Sequence, residues 1–340
     1  MAAADAVKAD WPLFGLTDDI RPALEKALAD REPSALVTLY AATGGSPRGI
    51  GAQMIVTQND VSGYVSGGCV EADVVRHALD CLDDHEPRRL VYGQGGPIDI
   101  QLPCGGRIEL LVERVAPGNA AARNLVEAGR HRVVWASDGR ESTCLPATAA
   151  QGLAAGGGRA GLCADGARIY RIHDPRTRLI VVGSDPSALA MAMMAGQVGW
   201  EVHLIRPKGP ATPPPVQGIR YWRDAPGTAL AAIGLDPWSA VAVATHQEED
   251  DHDALCAALQ SSAGYVGLLG STRKLPAKRA RLLAAGVSPD RFDALRAPIG
   301  LPSGPRSPWG IATGVIAEVG QTLEAAARAP APALHTVAAA

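Results

Sequence analysis

The sequence predicts an α/β protein in two parts, a mixed α/β domain followed by a domain built on a doubly wound parallel sheet. Three observations lead there. The chain has 340 residues, more than one small core usually holds. Glycine-bearing turns punctuate its first half, and from Arg178 onward apolar runs of strand length alternate with helical patterns. The domains are expected at 1–165 and 166–330, with a disordered tail at 331–340. The linker falls within or just after the Gly/Ala-rich stretch 147–161.

In the first domain, ALEKALAD at 23–30 reads as a helix and the apolar run 35–41 as a strand. The loop from Thr43 to Gly51 carries four glycines and a proline, which open backbone conformations closed to other residues. Strands are expected at 53–57 and 63–66. The turn Ser66-Gly67-Gly68-Cys69 then leads into a helix with Val70, Val74, His77, Ala78 and Cys81 at helical spacing. A strand from Arg107 to Val112 follows the tight segment Pro103-Cys104-Gly105-Gly106, then a helix at 120–129 and strands at 132–135 and 168–172. In the second domain, strands are expected at 179–182, 201–205, 240–244 and 265–269, with helices running through Met194 and Leu259.

Composition narrows the function. With 47% hydrophobic and 20% charged residues the chain is far too apolar for disorder. A formal charge of −3 gives no dense basic face for nucleic acid. The opening MAAADAVKADWPLFG lacks a charged stretch ahead of a long apolar core, and no apolar run approaches about 18 residues. The expectation is a cytoplasmic protein with no membrane partner. Six cysteines, at 69, 81, 104, 144, 163 and 256, form no CxxC pair and show neither zinc nor disulfide-scaffold spacing, so reduced thiols are expected.

The segment Gly183-Ser184-Asp185-Pro186-Ser187-Ala188 stands where a dinucleotide-binding turn would cradle pyrophosphate. Only the first glycine and the final small residue of that fingerprint are present. Asp185 occupies the place of the second glycine, and Arg206 the region of the acidic ribose ligand. The favoured reading is a Rossmann-like scaffold reused without nucleotide; an NADP-like ligand at Arg206 is the alternative.

GGSPRGIGAQMIV (44–56), SGGCVEADV (66–74) and PCGGRIELLVE (103–113) resemble the N-terminal domain of the XdhC/CoxI family in order and wording. ATHQEEDDHDAL (244–255), YVGLLGSTRK (265–274) and PIGLPSGPRSPWGIATGVIAEV (298–319) resemble its Rossmann-like C-terminal domain. The resemblance covers about residues 20–325 and departs from the family's usual pattern at Asp185, Arg206 and Gly310. It implies a chaperone that binds the molybdenum cofactor, as molybdopterin or its dinucleotide form. It also implies help with sulfuration by a cysteine desulfurase and delivery into a xanthine dehydrogenase-type apo-enzyme. On this view the protein is a maturation factor without catalytic residues, and a homodimer by the commonest symmetry. The rival is an NAD(P)-dependent oxidoreductase working on the C-terminal sheet.

A carrier of a phosphorylated pterin needs an anion cradle and soft ligands near the metal. Gly45, Ser46, Arg48 and Gly49 offer backbone N–H groups and a planar guanidinium fork, though Arg48 also suits an ordinary salt bridge. Gly67 and Gly68 open a helix N-terminus, where the dipole favours negative charge and a thiol such as Cys69 is biased toward thiolate. Cys104, with Gly105 and Gly106, completes the set, and Cys69 and Cys104 are the expected metal-side ligands. For both, tight packing beside glycine turns is the competing reading. Glu71 either orients a neighbour or caps the helix. His246 lies at the carboxyl edge of the second sheet, and Gly270, Ser271 and Arg273 follow a strand there as a second anion site or a solvated turn. The acidic run Asp250–Asp253 is read as helix-start charge before it is read as a metal site.

Overall fold

The computed structural model describes residues 11–97, 100, 102–149, 158–302 and 306–328, so the tail expected at 331–340 lies outside the described residues. The chain divides into two compact units, Met1–Pro175 and Arg176–Ala340. The boundary lies beyond the expected 165 because strand β9 (Ile169–His173) pairs with β6 (Val133–Ser137) and holds that stretch in the first unit.

Helix α1 (Arg21–Ala29) precedes β1 (Ser34–Thr43), β2 (Gln53–Val56) and β3 (Val61–Gly63). Helix α2 (Glu71–Asp84), β4 (Arg88–Tyr92) and β5 (Arg107–Val115) follow. These strands make an antiparallel sheet in the order β3-β2-β1-β5-β4. The third strand ends at Gly63, so the expected stretch 63–66 is mostly loop, pulled out of the ladder by contacts described below. Strand β4 is not foreshadowed in the sequence, since its two arginines break the apolar pattern.

On β1, Ala35, Val37 and Leu39 face one way and pack with Val74, Val75, Ala78 and Cys81 of α2. Leu36 faces the other way, against Leu24 of α1, Leu125 of α3 (Ala120–Val126) and Trp135 of β6. With both faces buried, a central strand of this kind gains about 1.5–3 kcal/mol for each large apolar side chain removed from water. A second antiparallel sheet, β7-β6-β9-β8, adds β7 (Ser142–Pro146) and β8 (Ala160–Leu162).

The second unit begins with β10 (Arg178–Gly183), α4 (Pro186–Gln197), β11 (Glu201–Ile205) and β12 (Ile219–Trp222). It continues with α5 (Pro226–Ile233), β13 (Ser239–Ala244), α6 (Glu248–Leu259) and β14 (Tyr265–Leu268), and ends in α7 (Leu275–Ala284), α8 (Pro289–Asp293) and α9 (Pro308–Arg328). The sheet is wholly parallel in the order β12-β11-β10-β13-β14. Leu179 and Val181 of β10 pack towards α4 and α9, while Ile180 and Val182 pack towards α5 and α6. Helices therefore cover both faces, the doubly wound arrangement expected. Its strand order reverses between β10 and β13, where such folds open a crevice at the carboxyl ends.

Candidate functional site

The three glycine-bearing segments of the first unit meet at one end of its five-stranded sheet. The Cys104 thiol donates to the Gly45 carbonyl at 3.0 Å. A Cβ on Gly106 would stand 1.8 Å from the Gly45 oxygen, so only glycine lets these two backbones touch. A Cβ on Gly67 would lie 3.9 Å from Pro47, which brings the Ser66–Cys69 turn beside the same loop. Gly105 is left in open space.

Two expected roles change in the folded chain. The Ser66–Val70 turn is not an open anion cradle, because an anion of the chain already fills it. The buried Glu71 carboxylate accepts from the backbone N–H groups of Val65, Ser66, Gly67, Gly68 and Val70, and from the Ser66 hydroxyl at 2.5 Å. Burial opposes its charge, but the Ser66 and backbone hydrogen bonds outweigh it and hold the carboxyl below its ordinary value. Glu71 thus shapes the loop and is not a helix cap in the ordinary sense. Arg48 is likewise engaged: its guanidinium pairs with Asp18, reaches the Tyr64 hydroxyl at 3.4 Å and stacks 4.3 Å from that ring's centre. The Ser46 hydroxyl donates to the Arg48 carbonyl at 2.7 Å, tightening the same loop.

The six thiols separate by exposure. Cys69 and Cys104 are exposed, Cys81, Cys144 and Cys163 are buried, and Cys256 is intermediate. Burial raises the last four above the ordinary thiol value, Cys144 to about 11, which leaves them as protonated packing groups. Among the described residues no three His, Cys, Asp or Glu side chains gather as a metal site. A bare ion is therefore poorly served by Cys69 and Cys104. Two exposed thiols do suit a metal that arrives already held in an organic ligand.

In the second unit, His246 stands where expected, at the end of β13. Its Nε2 lies 3.7 Å from Asp185, and its side chain is 71% exposed. Asp185 caps α4, accepting from the Ala188 N–H at 2.8 Å, the group a pyrophosphate would use. Ser271 is spent as the cap of a 3₁₀ turn at Thr272–Lys274, and α7 starts only after it. Arg273 lies on this turn, directly before Lys274, the N-cap residue of α7, and Gly270 precedes the turn. The acidic start of α6 is paired, Asp251 with Lys278 at 2.9 Å and Glu249 with Arg281 at 3.1 Å. A cavity of about 450 Å³ opens beside Asp185, lined among others by Leu204, Arg206 and Tyr221. Its proline-rich wall has a signature in the sequence, the run Pro213-Pro214-Pro215, but a proline run names no chemistry by itself.

An antiparallel α/β unit with converging glycine loops, joined to a Rossmann-type unit with a modified turn, defines the class. Residues 27–93 match the XdhC and CoxI family, and residues 179–319 match the XdhC Rossmann domain. The chain belongs to the XdhC and CoxI family. It is 30% identical over 312 residues to an Escherichia coli protein named molybdenum cofactor insertion chaperone PaoD, covering 89% of each chain. A Bacillus subtilis protein whose name makes it a probable component of xanthine dehydrogenase is 26% identical over 88% of this chain and 96% of its own. A solved structure from Bacillus halodurans, described as a xanthine dehydrogenase, shares the fold with a TM-score of 0.69 at 23% identity, over 90% of this chain and 96% of that one. No described helix is long and apolar enough to cross a membrane.

Proposed function

We propose that this protein carries the molybdenum cofactor, as a phosphorylated pterin or its dinucleotide form, and hands it to a xanthine dehydrogenase-type apo-enzyme. The observation that carries the reading is the sorting of thiols. The two exposed cysteines are those on the glycine loops at one end of the first sheet, while the other four are packed in or half-buried. Exposed Cys69 and Cys104 offer soft donors to the metal side of the cofactor, and the Gly44–Gly49 loop offers polar backbone to the pterin. Phosphate is held less by Arg48 than the sequence suggests, since Asp18 occupies it. Sulfuration would draw on a cysteine desulfurase, with an exposed thiol as the acceptor side. The protein itself works as a cytoplasmic homodimer that turns nothing over.

The rival oxidoreductase reading is weakened by Asp185, which both caps α4 and repels a pyrophosphate. The test is to purify the chain from cofactor-producing cells and measure pterin and molybdenum per protein. Wild type should retain both, Cys69→Ala should lose most of them, and Cys256→Ala should keep them. An empty wild-type protein that also leaves its client inactive, or equal retention in both variants, defeats the proposal.

A further inference from the structure

The turn expected to serve as bare scaffold borders the 450 Å³ cavity of the second unit. Leu189, Leu204 and Pro213 give it flat apolar walls, and Tyr221 adds an aromatic one. The wall is braced: the Tyr221 hydroxyl donates to the Pro210 carbonyl at 3.1 Å, and Arg223 Nε donates to the Gly209 carbonyl at 2.9 Å. A Cβ on Gly209 would fall 2.1 Å from the Tyr221 oxygen, so the segment is seated directly on that ring. Prolines restrict the rest, so the cavity stands open without a cost of ordering its walls.

Arg206 follows directly on β11, at the place where a doubly wound fold meets the ribose of a bound nucleotide. Arg206 lines the cavity, and its side chain makes no ion pair or hydrogen bond among the described residues. An acidic residue there would take ribose hydroxyls, whereas arginine takes a phosphate monoester as a fork. Asp185, which lines the same cavity from the end of the neighbouring strand β10, holds the α4 N-terminus and puts a carboxylate where a pyrophosphate would lie.

We infer that this cavity binds a nucleotide bearing a phosphate monoester on its ribose, with the base between Leu204, Tyr221 and the prolines, the phosphate on Arg206, and Asp185 rejecting a bridging pyrophosphate. The inference stands apart from the cofactor proposal, since no residue of the first unit enters it.

Calorimetric titration of the full chain with adenosine, adenosine 2′-monophosphate and NADP tests it. The monophosphate should bind at least about ten-fold more tightly than adenosine, the size of one hydrogen-bonded charge contact. Arg206→Ala should erase that factor with an unchanged melting temperature, and Arg206→Lys should restore part of it. NADP should bind no more tightly than the monophosphate, and Asp185→Gly should improve NADP selectively. Equal binding of adenosine and its monophosphate, or binding of neither up to about 10 mM, overturns the inference. So does an Arg206→Ala variant that keeps the phosphate preference, or wild-type protein that prefers NADP.

Discussion

The Ser66–Val70 and Gly183–Ala188 turns each open a helix, and both place a carboxylate of the chain where a phosphate would otherwise sit. At Ser66–Val70 the carboxylate is buried Glu71, and it takes up five backbone N–H groups. At Gly183–Ala188 it is Asp185, half-exposed, and its side chain takes one, from Ala188. The first turn is therefore a closed structural unit that displays Cys69, while the second seals only the helix terminus and leaves a cavity beside it. An anion-suited backbone thus identifies a phosphate site only after the chain's own carboxylates have been placed.

Removing the charge from the closed turn should have the largest effect. Glu71→Gln sets an amide N–H₂ against donors that now have no acceptor, and each buried unsatisfied group costs about 1–3 kcal/mol. Chemical denaturation should show a loss of at least about 3 kcal/mol, with faster amide exchange at Gly67 and Gly68. Because the folded carboxyl is depressed, its contribution is complete above the ordinary value of 4.5 and fades as pH falls through the folded value. Wild-type stability should drop on acidification below that point, and the variant's should drop less. Gly106→Ala, with its Cβ 1.8 Å from a carbonyl oxygen, should separate the two loops and cost a comparable amount.

Another carboxyl, buried like that of Glu71, sharpens the contrast. Among the described residues Glu113 accepts from Trp135 Nε1, at 3.1 Å, and from the Ser137 hydroxyl, and burial outweighs them to push it up to about 7. The sign is opposite to that of Glu71: the folded state binds the proton more tightly, so stability falls as pH rises from about 4.5 towards 7. Glu113→Gln supplies an oxygen for Trp135 without a charge. It should gain on the order of 1–3 kcal/mol over wild type at pH 8 and little at pH 4, read from melts across pH.

Legibility in the sequence follows the same division. The parallel sheet is readable because strands such as Leu179–Val182 are buried on both faces and so are apolar throughout. Strands β4, β7 and β12 are not, since arginine, serine and proline interrupt them at exposed or half-exposed positions. Cys69 and Cys104 are distinguishable from the other thiols by their glycine neighbours, and both are exposed in the folded chain. The role of Arg48 is hidden because its partner Asp18 is brought in from a distant stretch of chain, and that of Glu71 because its partners, though local, are mostly backbone N–H groups that every residue type carries.

The smallest effect lies at the open turn, and it can be split into two parts. Asp185→Ala removes the cap from α4 and should cost about 1 kcal/mol, whereas Asp185→Asn keeps an acceptor for the Ala188 N–H and should cost only a few tenths. Both variants remove the negative charge. If charge is what excludes a pyrophosphate, both should bind NADP more tightly than wild type despite their unequal stabilities. If occupation of the N–H is what excludes it, only Asp185→Ala should gain. A melting curve paired with a titration on the two variants separates these causes, and shows whether the second turn resembles the first in kind or only in outline.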